Sequence, residues 1–278
     1  MEEKFFRVLM TLSTLIILCV LFIILATIVT RGLPAMNWSM ITQVPKGGFY
    51  LGKEGGILNA ITGSLVLAGG STFLAIVMSI PIVLYLNIFA NRHSWVTVWA
   101  RFSMDVLWGI PSIVYGAFGF TLMLLLGLRT SLLAGMITVA LFILPIMSRA
   151  MDEVIRMIPT ELLEASYSLG ATRLETALKV VLRQALPGII TAVLIAFGRG
   201  IGDAASVIFT AGFTDNLPSS LFRPVATLPL AIFFQLGTPF PEVQDRAYAS
   251  AFILTIIILL ISIISRILAH RLTKHVIK

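Results

Sequence analysis

The stretch ELLEASYSLGATRLETALKVVLRQALPG, residues 161–188, is polar and helix-forming within a chain that is otherwise strongly apolar. Of the 278 residues, 58% are hydrophobic and only 12% are charged, and the mean hydropathy is +1.00. Soluble domains contain about 45–50% apolar and about 25% charged residues. The composition therefore indicates a membrane protein that crosses the bilayer several times and carries a polar insert near its middle.

Six apolar segments are long enough to cross the hydrocarbon core, which takes about 20 helical residues. The first is longer than the apolar core of a signal peptide, so it is expected to be a retained span. The sequence predicts an all-α membrane protein with transmembrane helices at residues 5–29, within 57–89, and at 102–128, 131–147, 188–212 and 248–269.

Two of the apolar segments contain proline or are short. Pro111 lies in the third predicted span and is expected to kink it, because proline has no N–H to donate. The segment VATLPLAIFFQL, residues 225–236, is apolar but too short to span, which favours a re-entrant or interfacial position.

The spans predict three parts: an N-terminal helix with an outer loop at 1–56, a transmembrane domain at 57–270 that includes an insert at 150–187, and a tail at 271–278. Lysine and arginine are more frequent in the segments on the side of both termini than in those on the other side. The positive-inside rule therefore predicts that both termini and the insert are cytoplasmic. The net charge of +7 is then explained by membrane topology and lipid head groups rather than by nucleic acid.

Several kinds of site are not predicted. Cys19 is the single cysteine, so an intramolecular disulfide is impossible, and the three histidines lie beside lysines or arginines near predicted membrane edges rather than in a metal-binding cluster. The Gly52-Lys53 pair is followed by Glu54, so it is not a P-loop. The chain is expected to bind no metal or nucleotide of its own and to have no catalytic residues.

The insert has the pattern of a helix, a turn and a second helix. Glu161 and Glu164 place negative charge near the start of the first helix, where the helix dipole favours it. Gly170 is expected to end this helix in a left-handed conformation, and a second helix is predicted from about residue 173, with Pro187 and Gly188 marking the start of the fifth span. The first helix has an apolar face formed by Leu162, Leu163, Ser166 and Leu169. That face packs either on the membrane domain of the chain itself or in a groove of a partner.

The segment GRGIGDAASVIFTAG, residues 198–212, places Arg199 and Asp203 inside an apolar span. Such a charge at the centre of a spanning helix costs roughly 2.5–3.5 kcal/mol on insertion scales. The i, i+4 spacing predicts that both residues share a helix face and can form an ion pair. Two roles remain open: the two residues neutralise one another or pair with a partner helix to hold the bundle together, or Arg199 attracts an anion in a translocation path while Asp203 orients it or resets its charge.

The insert resembles the EAA loop of the permeases of ABC importers. Glu164, Ala165 and Ser166, followed after three residues by Gly170, match the start of that motif, and Val180 and Leu182 fall on its Ile and Leu positions. Arg183 stands where the motif has proline. The resemblance implies that the first helix is a coupling helix, docked into a cytoplasmic ATPase through Leu163, Glu164, Ala165, Ser166 and the turn at Gly170.

Two further segments resemble the phosphate-specific branch of these permeases, the PstA type. They are IPSIVYGAFG at residues 110–119 and the segment with Arg199 and Asp203, although the family commonly has Glu at the position of Asp203. The resemblance implies the type I ABC importer permease fold in a bacterial or archaeal plasma membrane, and inward transport of phosphate with Arg199 and Asp203 in the path. It also implies a second homologous permease, two ATP-binding subunits that use ATP and Mg²⁺, and an external phosphate-binding protein. Molybdate, sulfate or phosphonate transport, or a stand-alone channel, are the alternatives.

Overall fold

The computed structural model describes residues 2–46, 55–91 and 94–272, and every regular element in these ranges is a helix. Two helices contain a π-helical turn, at Tyr85–Phe89 and at Thr176–Val181. The helices are α1 (Glu2–Ala35), α2 (Trp38–Thr42), α3 (Leu58–Leu84), α4 (Trp95–Gly109), α5 (Ser112–Leu125), α6 (Leu132–Arg156), α7 (Thr160–Ser168), α8 (Arg173–Glu175), α9 (Leu182–Gly202), α10 (Leu228–Leu236) and α11 (Pro241–Leu272).

Among the described residues, five helical stretches are long and apolar enough to cross a membrane, at 3–35, 58–89, 132–156, 173–202 and 241–269. Helices α4 and α5 form a sixth crossing if they are taken as one bent span. This agrees with the all-α prediction and with six apolar segments. We call the end of the bundle that carries α7 the insert end, and the other end the opposite end.

The third predicted span, residues 102–128, is not one helix. Helices α4 and α5 meet at an angle of 104° across Ile110 and Pro111. Pro111 has no N–H, and its ring pushes Ile110 into the extended conformation in which it is found (φ −72°, ψ 131°). The expected kink is therefore a complete break.

The predicted outer parts of the chain are covered only partly. Helix α1 is longer than predicted and packs on α11, while most of its apolar surface is exposed. Residues 47–54 of the predicted outer loop and residues 273–278 of the predicted tail lie outside the described residues. Residues 271 and 272 still belong to α11, so the helix continues past the predicted start of the tail.

Helix α6 is the centre of the bundle and packs against α3, α4, α5 and α9. Its Val139, Ile143 and Met147 are fully buried. Helix α3 meets it through small side chains, and the hydroxyl of Ser148 donates to that of Ser79 at 3.0 Å. Lipid tails are as apolar as leucine, so membrane helices associate through close packing of small residues rather than through a hydrophobic difference.

Gly63 shows how close this packing is. A Cβ atom at Gly63 would overlap the carbonyl oxygen of Ala226, in the segment that leads into α10. The next residue, Ser64, accepts a hydrogen bond from the N–H of Leu228 at 2.7 Å. Helix α3 is thus fixed against the first turn of α10, a nine-residue buried helix that is too short to span, as the sequence predicted.

We predict that Gly63→Ala destabilises the protein by about 1–3 kcal/mol, because the added methyl group meets backbone rather than a movable side chain. Gly69→Ala, on the same helix, is the matched control, since a Cβ there meets nothing within 4 Å. Thermal unfolding in detergent should show a lower Tm for the first variant only. Equal Tm values for both variants would contradict the close contact with Ala226.

Candidate functional site

Helix α9 ends inside the bundle rather than at its opposite end. Gly188 lies against Val154 of α6, and Gly200 lies against Val139 and Ile143. Helix α6 begins at Leu132, at the opposite end of the bundle. With a rise of about 1.5 Å per residue, α9 ends about 10 Å before it reaches the level of Leu132. The predicted helix at 188–212 is therefore wrong in its second part, where residues 203–212 form irregular turns.

The break is explained by the residues at its position. Gly198, Gly200 and Gly202 are poor helix formers, each about 1 kcal/mol worse than alanine. Asp203 leaves the helix with an extended backbone (φ −87°, ψ 123°), and its Oδ2 accepts the backbone N–H of Ser206 at 2.7 Å. Aspartate favours such local bonds over helix continuation.

The predicted ion pair between Arg199 and Asp203 is consequently wrong. Asp203 has left the helix face that carries Arg199, and its carboxylate is engaged with the turn. Among the described residues, no carboxylate lies within ion-pair distance of Arg199, and its guanidinium makes no hydrogen bond.

Arg199 is exposed on the surface of the bundle, one residue before Gly200 and thus near the middle of α6 in depth. Its guanidinium carbon lies 5.2 Å from the centre of the Phe142 ring, a cation–π contact that holds the side chain while leaving its N–H donors free. A charge at this depth needs a water-filled cavity or a partner subunit beside it.

The irregular segment next to Arg199 is tightly held and contains the polar residues Asp203, Ser206 and Thr210. Helix α5 touches it so closely that a Cβ at Gly116 would lie 2.7 Å from the carbonyl oxygen of Ala205. The hydroxyl oxygen of Ser206 is buried and has no hydrogen-bond partner among the described residues. Irregular backbone at membrane depth is tolerated where it is packed in protein or lines a cavity. Arg199 and this segment therefore form a candidate anion site.

A partly buried acid, Asp215, follows this segment closer to the opposite end. Burial raises the pKa of the Asp215 carboxyl above its ordinary value, and the nearby positive charge of Arg246 partly opposes this. Arg246 is itself buried and donates to the carbonyl oxygen of Gly55 at 3.3 Å. Sequence analysis did not identify either residue as part of a site, because Asp215 lies in a loop and Arg246 lies near the start of a helix, away from any other predicted site residue.

The insert folds as predicted up to its turn. Gly170 follows α7 with φ of +83°, the left-handed conformation expected of it. Thr172 then starts α8 through a capping box, in which its hydroxyl accepts the N–H of Glu175 at 3.2 Å and its own N–H donates to the Glu175 carboxylate at 3.0 Å. The second helix differs from the prediction, because it continues through the π-helical turn into α9 and places Pro187 within that helix.

The two faces of α7 have different surroundings. Leu162 and Leu163 are partly buried against the core of the membrane domain, so the apolar face packs on the chain itself. Ser166 is buried, and its hydroxyl lies 2.9 Å from that of Thr176. The opposite face is open to a partner: Glu161, Glu164 and Ala165 are exposed, and Leu169 just after the helix is 89% exposed.

The predicted coupling residues thus fall into two groups. Glu164 and Ala165 lie on the exposed face, whereas Leu163, Ser166 and Gly170 shape and hold the helix. Their part in contacting an ATPase stays a prediction. Leu169, which sequence analysis assigned to the apolar face, is the leucine best placed to meet a partner.

Residues 79–278 match the protein family described as "Binding-protein-dependent transport system inner membrane component". The chain is 32% identical over 252 residues to the phosphate transport system permease protein PstA of Yersinia pestis, which covers 91% of this chain and 84% of the relative. It is also 32% identical over 271 residues to PstA of Pasteurella multocida, with 96% and 95% covered.

A solved structure shares the fold. The chain superimposes on a chain of the MetNI methionine ABC transporter in an inward-facing conformation with a TM-score of 0.63. The two are 22% identical, and the match covers 78% of this chain and 96% of the other. The fold is therefore that of a type I ABC importer permease.

We predict that Asp203→Asn retains stability, because asparagine keeps an oxygen that accepts the Ser206 N–H. Asp203→Ala removes this acceptor and should cost about 1 kcal/mol, as the loss of a helix-cap acceptor does. Thermal unfolding of both variants in detergent distinguishes the two. An Asn variant as unstable as the Ala variant would show that the negative charge, rather than the turn, is what Asp203 supplies.

Proposed function

The chain belongs to the family of binding-protein-dependent transport system inner membrane components, and we propose that it is the permease subunit of an ATP-driven importer that moves inorganic phosphate into the cell. Two relatives at 32% identity are phosphate transport system permeases. The observation that carries the proposal is Arg199, an exposed guanidinium at mid-depth beside a broken helix.

The chemistry of Arg199 suits phosphate. A guanidinium presents its N–H groups in a planar fork that matches two oxygens of an oxyanion, and such bonds are about twice as strong as neutral ones. Phe142 supports the guanidinium from one side, so less side-chain entropy is lost on binding. Asp203 stays in the proposed path as the residue that shapes the turn beside Arg199, with its charge partly satisfied by Ser206.

Phosphate would reach Arg199 from one side of the membrane and leave on the other as the helices move. A second homologous permease would supply the other wall of the path, because Arg199 lies at the surface of the bundle. An external phosphate-binding protein would deliver the substrate at the opposite end.

The energy would come from two ATP-binding subunits, which bind ATP and Mg²⁺, while this chain catalyses no bond-making. Helix α7 would be the coupling helix, with its exposed face of Glu164, Ala165 and Leu169 docked on an ATPase. This requires the insert end and both termini to face the cytoplasm of a bacterial or archaeal cell, as the distribution of basic residues supports.

We predict that proteoliposomes with the complete assembly take up labelled phosphate when ATP is supplied, and that Arg199→Gln lowers uptake at least tenfold. A hydrogen bond to a charged group contributes about 1.5–3 kcal/mol, and about 1.4 kcal/mol corresponds to a factor of ten. Arg199→Lys is the control, because lysine keeps the positive charge but lacks the planar guanidinium. This variant should keep part of the phosphate uptake.

Molybdate and sulfate serve as competitors in the same assay. Preferred uptake of either anion would keep the transport function and reject phosphate. Undiminished uptake by an assembled Arg199→Gln variant would make this arginine a structural charge.

We also predict the orientation from cysteine labelling in a Cys19→Ser background, which removes the single native thiol. With a membrane-impermeant maleimide, Leu169→Cys should react only from the cytoplasmic side, and bound ATPase should protect it. Ser219→Cys, exposed at the opposite end, is the matched control and should react only from outside. Labelling of Leu169→Cys from outside, or without protection by the ATPase, would reject the docking of α7.

A further inference from the structure

A buried carboxylate lies at the insert end of α6. Asp152 has no exposed surface, and its oxygens accept four hydrogen bonds. Asn87 Nδ2 donates at 2.7 Å, Arg101 donates from Nε at 2.9 Å and from Nη2 at 3.1 Å, and Arg149 Nη1 donates at 3.4 Å. A buried charge that is fully paired is stable, but loss of one partner leaves an uncompensated charge and is strongly destabilising.

This single carboxylate joins three helices. Asn87 belongs to the π-helical turn that ends α3, Arg101 belongs to α4, and Asp152 belongs to α6. Arg101 Nη2 also donates to Asn87 Oδ1 at 3.2 Å, which closes the network. Arg149 adds a second link to α4 through Asp105, at 2.9 Å, but there the carboxylate is half exposed.

Helix α7 connects to this network on both sides. Asp152 lies one turn before the end of α6 at Arg156, and Ile158 and Pro159 then lead into α7. After α7, Arg173 Nη1 donates to the carbonyl oxygen of Phe89 at 3.4 Å, in the same π-helical turn that carries Asn87. A displacement of α7 therefore pulls on α3 and α6 together.

Helix α4 is the helix that such a displacement of α7 would rotate. Tyr115 of α5 contacts Phe142 and Gly119 contacts Thr138, so α5 runs antiparallel to α6. Because α4 meets α5 at 104°, α4 lies across the insert end of the bundle. It exposes Trp95 and Trp99, which lie one turn apart, and also Trp108 on the opposite face, and tryptophan is enriched at membrane interfaces.

The far end of α4 reaches the candidate anion site through direct contacts. The hydroxyl of Tyr115 donates to the carbonyl oxygen of Leu107 at 2.9 Å, across the break at Pro111. The Tyr115 ring lies 5.6 Å from that of Phe142, and Phe142 holds the guanidinium of Arg199. The contacts from α7 to Arg199 are thus continuous.

We infer that Asp152 is a positioning residue for coupling. It holds α3, α4 and α6 together at the insert end, so that movement of α7 turns α4 about the break at Pro111 and shifts Phe142 beneath Arg199. The inference rests on the proposed transport function.

The test is the number of phosphate ions transported per ATP hydrolysed, measured in proteoliposomes with the complete assembly. Asp152→Asn keeps the size of the side chain but loses its charge. The lost charge should lower the Tm, but the assembled variant should hydrolyse ATP within about twofold of the wild type, while the ratio falls about fivefold or more, since allosteric coupling energies of this kind correspond to roughly 5–150-fold. Asp105→Asn is the matched control: the half-exposed ion pair that it removes links the same two helices, but solvent screens it, so this variant should keep the wild-type ratio.

Arg101→Lys is a second, independent variant. Lysine keeps the positive charge, but it lacks the planar guanidinium with which Arg101 binds both Asn87 and Asp152. The ratio of phosphate transported to ATP hydrolysed should therefore fall in this variant too. This second test does not depend on whether Asp152→Asn assembles. An unchanged ratio in either assembled variant, or an equal loss in Asp105→Asn, would overturn the inference. Absence of phosphate uptake by the wild type would instead reject the proposed function, and the ratio would then be measured with the oxyanion that the wild type transports.

Discussion

Inside a bilayer, every backbone N–H and C=O group needs a hydrogen-bond partner. The rest of the structure depends on how this requirement is met at the break in α9 after Gly202. Carbonyl groups of the turns that follow the break accept hydrogen bonds from neighbouring segments. The N–H of Ser131 donates to the carbonyl oxygen of Thr210 at 2.9 Å, and that of Val225 donates to Ala211 at 3.0 Å. The start of α6 and the segment before α10 are therefore folded around the break. Arg199 occupies its edge.

Two charged residues of the chain, Asp152 and Arg199, differ in whether other side chains pair with them. At the insert end, Asp152 is buried and accepts hydrogen bonds from three side chains, which is the arrangement of a structural charge. Within the part of the chain that the structure describes, Arg199 has an aromatic ring beside it and no hydrogen-bond partner, which leaves its donors for a ligand. An unpaired charge at membrane depth is costly, so the fold keeps one only where it has a use. The two residues are joined by α4 and Tyr115, which connects the insert end of the bundle to the candidate anion site.

Hydropathy was sufficient to predict the all-helical fold and the number of apolar segments, because long apolar runs have few alternatives in a bilayer. The turn at Gly170 was also predictable, since glycine adopts positive φ without strain. The size of the bend at Pro111 was not, because proline removes a hydrogen bond but the neighbouring helices set the angle. The ion pair between Arg199 and Asp203 failed because the helix ends after Gly202, so regular helical spacing does not reach Asp203.

Two further features depended on contacts that a sequence does not contain. The periodicity of α7 showed an apolar face but not that Leu162 and Leu163 would be covered by the chain itself. Sequence analysis did not single out Arg101 or Asp152. The signal that could have identified them is the presence of acidic and basic residues at the same depth on neighbouring helices, which favours pairing.

The most direct measurement is the accessibility of the break in α9 to water and substrate. Gly202→Cys in a Cys19→Ser background places a thiol at an exposed position beside Arg199, where a Cβ has room. In the complete assembly, we expect this thiol to react with a membrane-impermeant methanethiosulfonate, with a rate that changes between ATP-bound and nucleotide-free states and falls when phosphate is added. A thiol that stays unreactive in every state, or reacts at one rate regardless of nucleotide and phosphate, would contradict a transport path at Arg199.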